Sequence, residues 1–173
     1  GGDYMSEYFM NQCDSLGIMI WHDFIFACSK YPGDDLEYVN EVKKEITFIV
    51  RRMANHPSLV LWCGNNEVET GWWNWGYQTW GKQWTDAGLF HHIIPTILKE
   101  QDPAKVYWPS SPFAHVDENP RVPTTGDQHP WKVTLRDDGA NFWAYRDYVC
   151  RFADEGGVLG ASTPKTLRQF LPE

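Results

Sequence analysis

The sequence predicts an α/β fold, a partial (β/α)8 TIM barrel that supplies approximately strands three to seven. Three observations carry that expectation. Strand-like and helix-like segments alternate along the whole chain, the pattern of a parallel α/β fold. Each expected strand runs out into polar residues, and the carboxyl ends of parallel strands are where barrel enzymes keep their chemistry. No G-x-G-x-x-G follows any strand and no P-loop is present, so a Rossmann-type sheet is disfavoured. Five strands in 173 residues fall short of the eight that need about 250, so a slice of a barrel is expected, with all 173 residues in one domain.

Residues 3–16 are expected to be helical, because Tyr4, Tyr8, Phe9 and Leu16 recur at near-helical spacing and Gly17 is placed to stop them. Residues 17–21 read as a buried strand that ends in His22 and Asp23. Residues 36–54 carry the strongest helical period, with Val39, Val42, Ile46, Ile49, Val50 and Met53 on one face. Leu59 to Cys63 follows as a strand buried on both faces. It breaks at Gly64 into Asn65, Asn66 and Glu67, which puts a carboxyl group with amides beside it at a strand mouth. The Trp-rich stretch 72–84 has no clean period and is expected to be a long functional loop with one helical turn. Residues 89–100 resume a helix that Pro95 should kink. Strands are then expected at 105–109, ending in Ser110 and Ser111, at 124–129, and at 150–154, ending in Glu155. Residues 141–147 and 163–171 are expected to be helical, the latter capped by Ser162 or Thr163.

Composition narrows the function classes. Net charge is −8, whereas nucleic acid and anionic membrane surfaces require clustered Lys and Arg. No apolar run has the length of a membrane span. The four cysteines are widely spaced, with neither C-x-x-C nor zinc-finger spacing, and three sit in contexts that favour buried thiols. Ten Trp among 173 residues suit surfaces that stack the flat apolar faces of sugar rings.

Glycoside hydrolysis needs two carboxyl groups facing each other across the sugar. Glu67 and Glu155 each close an expected strand on the same rim. They lie 88 positions apart, close to the roughly 94 that three βα units span at about 31 residues each. They are thus placed as if on the fourth and seventh strands, on opposite sides of the barrel mouth. In a retaining mechanism Glu67 would protonate the leaving oxygen and later activate water, and Glu155 would be the nucleophile. Gly156 and Gly157 fit a site where backbone approaches ligand closely.

These residues resemble glycoside hydrolase family 2, and within it the β-mannosidases. The run from Cys13-Asp14 through Gly17-Ile18 to Trp21-His22-Asp23-Phe24 is similar to a family motif, and Phe26-Ala27-Cys28 with Tyr31-Pro32 follows it. Arg51-Arg52 and Asn55-His56-Pro57-Ser58 resemble the segment before the family's fourth strand. Trp62-Cys63-Gly64-Asn65-Asn66-Glu67 resembles the β-mannosidase form. Gly126-Asp127-x-His129 and Arg151-Phe152-Ala153-x-Glu155 resemble the sixth and seventh strands.

The resemblance implies a retaining exo-glycosidase acting on terminal β-linked mannose, with Glu67 as acid/base and Glu155 as nucleophile. It implies Asn66 at the 2-hydroxyl of the sugar and Trp75 in the sugar pocket. Asp23 and His129 would be pocket walls, with Trp21 and Trp131 as further substrate-binding residues. The expected partner is an oligosaccharide or glycan, with no nucleic acid, no membrane, no metal and no cofactor. The family's accessory β-sandwich domains have no counterpart in these residues. A periplasmic, secreted or lysosomal setting is compatible with the family. Four positions depart from its pattern: His22 stands in place of Gln, Asp154 in place of Ser, Gly156 in place of an aromatic, and Pro130 follows His129. The same mechanism on another sugar, as in an exo-β-glucosaminidase or an endo-β-mannosidase, stays open. So does a non-catalytic carbohydrate-binding relative. Strand alternation would point Asp154 away from the site.

Overall fold

The computed structural model describes residues 2–80, 84–131, 141–157 and 162–171. The first helix, α1 (Glu7–Leu16), starts at Ser6, whose hydroxyl accepts from the Phe9 amide, and stops at Gly17 in the left-handed region. A cap of this kind is worth about 1 kcal/mol. Strand β1 (Ile20–Asp23) follows, set later than the period suggests, so that His22 and Asp23 belong to it. Met19 stays 76% exposed.

The long helix α2 (Leu36–Met53) is capped by Asp35, whose carboxylate accepts from the Glu37 and Tyr38 amides. Its six periodic apolar residues are all buried. Burying each such side chain is worth about 1.5–3 kcal/mol, so this face anchors the helix to the sheet. Strand β2 (Leu59–Cys63) has the expected bounds. It is not buried on both faces, however, because Val60 is 40% exposed and Leu61 half-buried. Its Trp62 is fully buried, stacked on Phe24 at 5.0 Å, and its indole N–H donates to Asp102 at 2.9 Å. That bond removes the cost of burying the indole nitrogen.

The stretch after β2 differs most from expectation. Val68–Asn74 forms a helix, α3, and Tyr77–Trp80 a short 3-10 turn, where the sequence suggested a long loop with one helical turn. Residues 81–83 of that loop lie outside the described residues. Pro95 stands at a change of helix type. A π-helical turn (Leu89–Ile93) precedes it, so Pro95 falls in the first turn of α4 (Ile94–Gln101), where a missing N–H costs little. Strand β3 (Val106–Trp108) comes next. The last two strands, β4 (Asp127–Gln128) and β5 (Phe152–Ala153), are shorter than expected, and both residues of β5 are exposed. Phe142–Arg146 is a 3-10 segment, and only Pro164–Leu167 is helical near the end, with Thr163 as its cap.

All strand pairs are parallel. β1, β2 and β3 form one sheet in chain order, and β4 pairs with β5 in another. Parallel pairing in chain order, with helices between, buries one continuous core. In it α2, the π turn and α4 pack on Phe24, Phe26, Leu59 and Trp62. The parallel contact extends past the strand ends through single bridges, Ala27 to Asn66 and Asn66 to Ser111. Gly64 permits it. A Cβ there would lie 2.2 Å from the Pro109 carbonyl oxygen.

Candidate active site

Because all five strands are parallel, their carboxyl ends share one rim, and the polar residues that follow them converge there. Trp21, Asp23, Asn66, Ser111, His129, Phe152, Asp154 and Glu155 line a cavity of about 370 Å³. Every strand contributes to its wall, either directly or through the residues just beyond it.

Glu67 sits at the exit of β2 in the left-handed backbone region, φ 59° and ψ 14°. That conformation costs a non-glycine residue on the order of 1 kcal/mol or more and is typically held by surrounding bonds at functional positions. Here its amide donates to the Ser111 carbonyl at 2.7 Å. Its carboxylate takes up His129 Nδ1 at 2.9 Å on one oxygen and the Cys28 thiol at 3.5 Å on the other. Cys28 is also left-handed, φ 45°, fixed by its amide bond to Asn66 and by the Tyr77 hydroxyl on its carbonyl. Burial, with the neighbouring Glu67 charge, pushes the Cys28 thiol up to about 11, so it faces Glu67 as a neutral S–H donor.

Glu155 follows β5. Trp131 Nε1–H donates to its Oε1 at 2.7 Å, and His129 Nδ1 lies 3.4 Å from its Oε2. The two glutamates thus meet across one imidazole. An oxygen of each and a nitrogen of His129 all lie within 4.8 Å of one another. That closeness would also suit a cation, but the hydrogen bond of His129 to Glu67 and its charge contact with Glu155 account for the spacing without one. Burial pulls the His129 imidazole down. The Glu67 hydrogen bond and the charges of Glu155, Asp154 and Glu67 outweigh it, so the net direction is up.

On its other side His129 Nε2 meets the Ser111 hydroxyl at 2.9 Å. Asp127 and Asp154 each bring a carboxyl oxygen to within 2.7 Å of that hydroxyl. Asp127 also accepts from Trp108 Nε1 at 2.7 Å and the Phe113 amide at 2.9 Å. Asp154 corrects an expectation. β5 ends at Ala153, the pleat puts Phe152 and Asp154 on the cavity side, and the chain turns in again at Glu155. The backbone of Asp154 is open, but its side chain is only 15% exposed.

Asp23 and Trp21 are where the sequence placed them, joined by the indole N–H on Asp23 Oδ1 at 2.9 Å. Burial pushes the Asp23 carboxyl upward, against that bond. Trp21 stacks on Phe152 at 5.9 Å and 9°, a flat apolar wall. Asn66 lines the cavity and reaches the Cys28 sulfur. Trp75 is not brought to the wall. It ends α3 and packs edge-on against Tyr77, 6.0 Å away. Nor do most Trp face the cavity: Trp62 is core, and Trp72 and Trp84 stack on each other. Gly156 and Gly157 take φ 156° and 128°, backbone that other side chains rarely adopt, and among the described residues nothing lies within 4 Å of a Cβ on Gly157. His91 and His92 lie elsewhere, His91 Nε2 meeting the buried Glu69 at 2.7 Å. Ser111, Phe152 and Cys28 were not named as site residues from sequence, although Ser111 and Cys28 lie beyond strand ends on this rim and Phe152 opens β5. All four cysteines are free thiols, and only Cys13 and Cys63 are buried.

A second depression, about 410 Å³, runs along the open edge of β1. It is lined largely by apolar side chains such as Met5, Phe9, Ile18 and Met19, and contains neither glutamate.

Comparison with known proteins gives this geometry a family. Residues 3–106 match the TIM barrel domain of the glycosyl hydrolases family 2. The chain is 35% identical to a β-mannosidase of Bos taurus, over 100% of this chain and 21% of that protein. It is 34% identical to β-mannosidase B of Aspergillus clavatus, over 77% of this chain and 17% of that one. The crystal structure of a β-D-mannosidase from Dictyoglomus thermophilum superposes with a TM-score of 0.87 at 36% identity, covering 100% of this chain and 21% of that one. The chain therefore spans about a fifth of the length of the relatives it matches. Two strong sequence relatives, a whole-chain structural match and a parallel rim carrying two convergent glutamates agree: this chain belongs to glycoside hydrolase family 2, as part of its TIM barrel domain.

Proposed function

We propose that the protein carrying these residues is a retaining exo-glycosidase that removes terminal β-linked mannose. The observation that carries the reading is the approach of Glu67 and Glu155, with carboxylate oxygens within 4.8 Å of each other and of His129. Retaining pairs stand about 5–5.5 Å apart, whereas inverting pairs leave room for a water at about 6.5–9.5 Å.

Glu155, 38% exposed at its side chain and on the cavity wall, attacks the anomeric carbon. The glycosidic C–O bond breaks as Glu67 delivers a proton to the leaving oxygen. Water then replaces Glu155 on the same carbon while Glu67 takes the proton back. The proton in question lies in the 2.9 Å bond between Glu67 and His129, which keeps it beside the departing oxygen. Trp131 holds Glu155 in a fixed direction through its indole N–H. Asn66 and Asp23 on the wall bond the sugar hydroxyls, the 2-hydroxyl falling to Asn66. The Trp21–Phe152 stack carries the sugar's apolar face. The β-mannosidase names of the relatives support mannose as that sugar.

The test is hydrolysis of aryl β-mannoside, β-glucosaminide and β-galactoside by the complete protein. The mannoside is expected to lead in kcat/KM by roughly 10²-fold or more, because a pocket bonded to hydroxyls rejects the wrong stereoisomer. A first-formed product with inverted configuration would refute the retaining mechanism.

The same reading makes residues 1–173 strands three to seven of the barrel, with its other strands and the accessory β-sandwich domains outside them. The apolar depression along β1 is then where the preceding strand packs. On its own this segment is expected to show no cooperative thermal transition. A sharp calorimetric peak from isolated residues 1–173 would overturn that assignment.

A further inference from the structure

Ser111 has more polar neighbours than its hydroxyl can serve. Its hydroxyl carries one proton, yet Asp127 Oδ2 and Asp154 Oδ2 each lie 2.7 Å from it and His129 Nε2 lies 2.9 Å from it. Were both carboxyls ionised, one would face a hydroxyl lone pair. Asp127 already accepts from two further donors, the Trp108 indole and the Phe113 amide, and so is the one placed to accept from Ser111 as well. A proton on Asp154 satisfies the whole set. Asp154 O–H and His129 Nε2–H both donate to the Ser111 oxygen, and Ser111 donates to Asp127. His129 Nδ1–H is left to Glu67.

We infer that Asp154 is a positioning residue for the glycosidase reaction, acting as a neutral carboxylic acid that locks Ser111 and, through it, sets how tightly His129 holds the proton shared with Glu67. The inference rests on the two-glutamate reading above. It is consistent with the direction of titration. Burial, then the charge and hydrogen bond of Asp127, push the Asp154 carboxyl up to about 6, against the bond from Ser111 and the His129 charge. The titratable groups facing it are Asp127 and His129 from the β4 segment and Glu155 beside it. Glu67 lies behind His129, and Asp23 lies across the cavity.

The sign follows from charge. Once Asp154 ionises, a carboxylate stands 3.5 Å from His129 Nε2 and further stabilises the imidazolium, which then yields its Nδ1 proton to Glu67 less readily. Turnover should therefore fall on the alkaline side as Asp154 loses its proton. Asp154→Asn keeps a donor toward Ser111 and an oxygen toward His129, and it cannot ionise.

In the complete protein, the alkaline limb of kcat/KM for aryl β-mannoside is expected to move up by about one pH unit in Asp154→Asn. In parallel, infrared difference spectra between pH 5 and pH 7 should show a protonated-carboxyl band that is lost in Asp154→Asn and kept in Glu67→Gln. An unmoved limb, or a band indifferent to Asp154→Asn, would overturn the inference. If the wild type hydrolysed no β-glycoside, the glycosidase reading would fail, and the infrared band alone would then decide the protonation of Asp154. Should Asp154→Asn not fold, Ser111→Ala, which cuts the link between the two groups, is expected to shift the same limb.

Discussion

Glu155→Gln in the complete protein is expected to lower kcat for an aryl β-mannoside by at least about 10⁴-fold, since a covalent step is removed rather than weakened. The amide has the shape of the acid but cannot form the glycosyl ester. Trp131 can still donate to Oε1, so the side chain keeps its direction and substrate binding should change little. The loss then falls in kcat, the signature of an interaction made only at the transition state. A smaller residue sharpens the test. Glu155→Ala vacates space beside Asp154 on the cavity wall, and azide supplied there should restore turnover and yield the α-glycosyl azide. Residual activity within tenfold of wild type would remove Glu155 from the nucleophile's role.

Glu67→Gln is expected to cost about 10²–10⁴-fold on glycosides with poor leaving groups, the usual range for a general acid. The loss should shrink for aryl glycosides whose phenolate departs without a proton. The diagnostic result is therefore a steep dependence of rate on leaving-group acidity, absent in the wild type. For the best leaving groups the second step becomes limiting, because no base remains to activate water. The substitution keeps an oxygen for His129 Nδ1 and leaves the left-handed backbone in place, so the fold should survive it. An equal loss on every leaving group would point instead to disturbed packing around His129.

Much of the architecture was legible because burial writes its period into sequence. The face of α2 and the bounds of β2 could be read directly, and Glu67 stood out because a buried strand ended on it without apolar neighbours. The strand-end positions of Glu67 and Glu155 put both on one rim, and their carboxylates do converge. Where the period was broken, reading stopped. Helix α3 was missed because Gly71 and adjacent Trp interrupt it, and only the structure shows why glycine stands there. The Tyr77 ring would lie 2.3 Å from a Cβ. Trp75, placed in the sugar pocket by resemblance, packs edge-on against Tyr77 and is not among the residues lining the cavity. Asp154 was misplaced because alternation was counted back from Glu155, when β5 stops two residues earlier. Ser111 carries no motif of its own, and the motif that holds Asp127 marks only a strand. Their role comes from neighbours far along the chain.

No backbone ladder joins β3 to β4 among the described residues. Side chains span that gap: Asp127 with Trp108, Phe113 and Ser111, and His129 with Ser111 and Glu67. The bonds that arrange the chemistry are thus also those that close the wall. A descendant that drifted away from catalysis could not simply exchange these acids for apolar residues. Each single exchange would strand a buried donor or acceptor at a cost of about 1–3 kcal/mol. Such lineages are expected to keep their carboxylates long after turnover has ceased to matter, with structural need preserving what selection for activity first assembled.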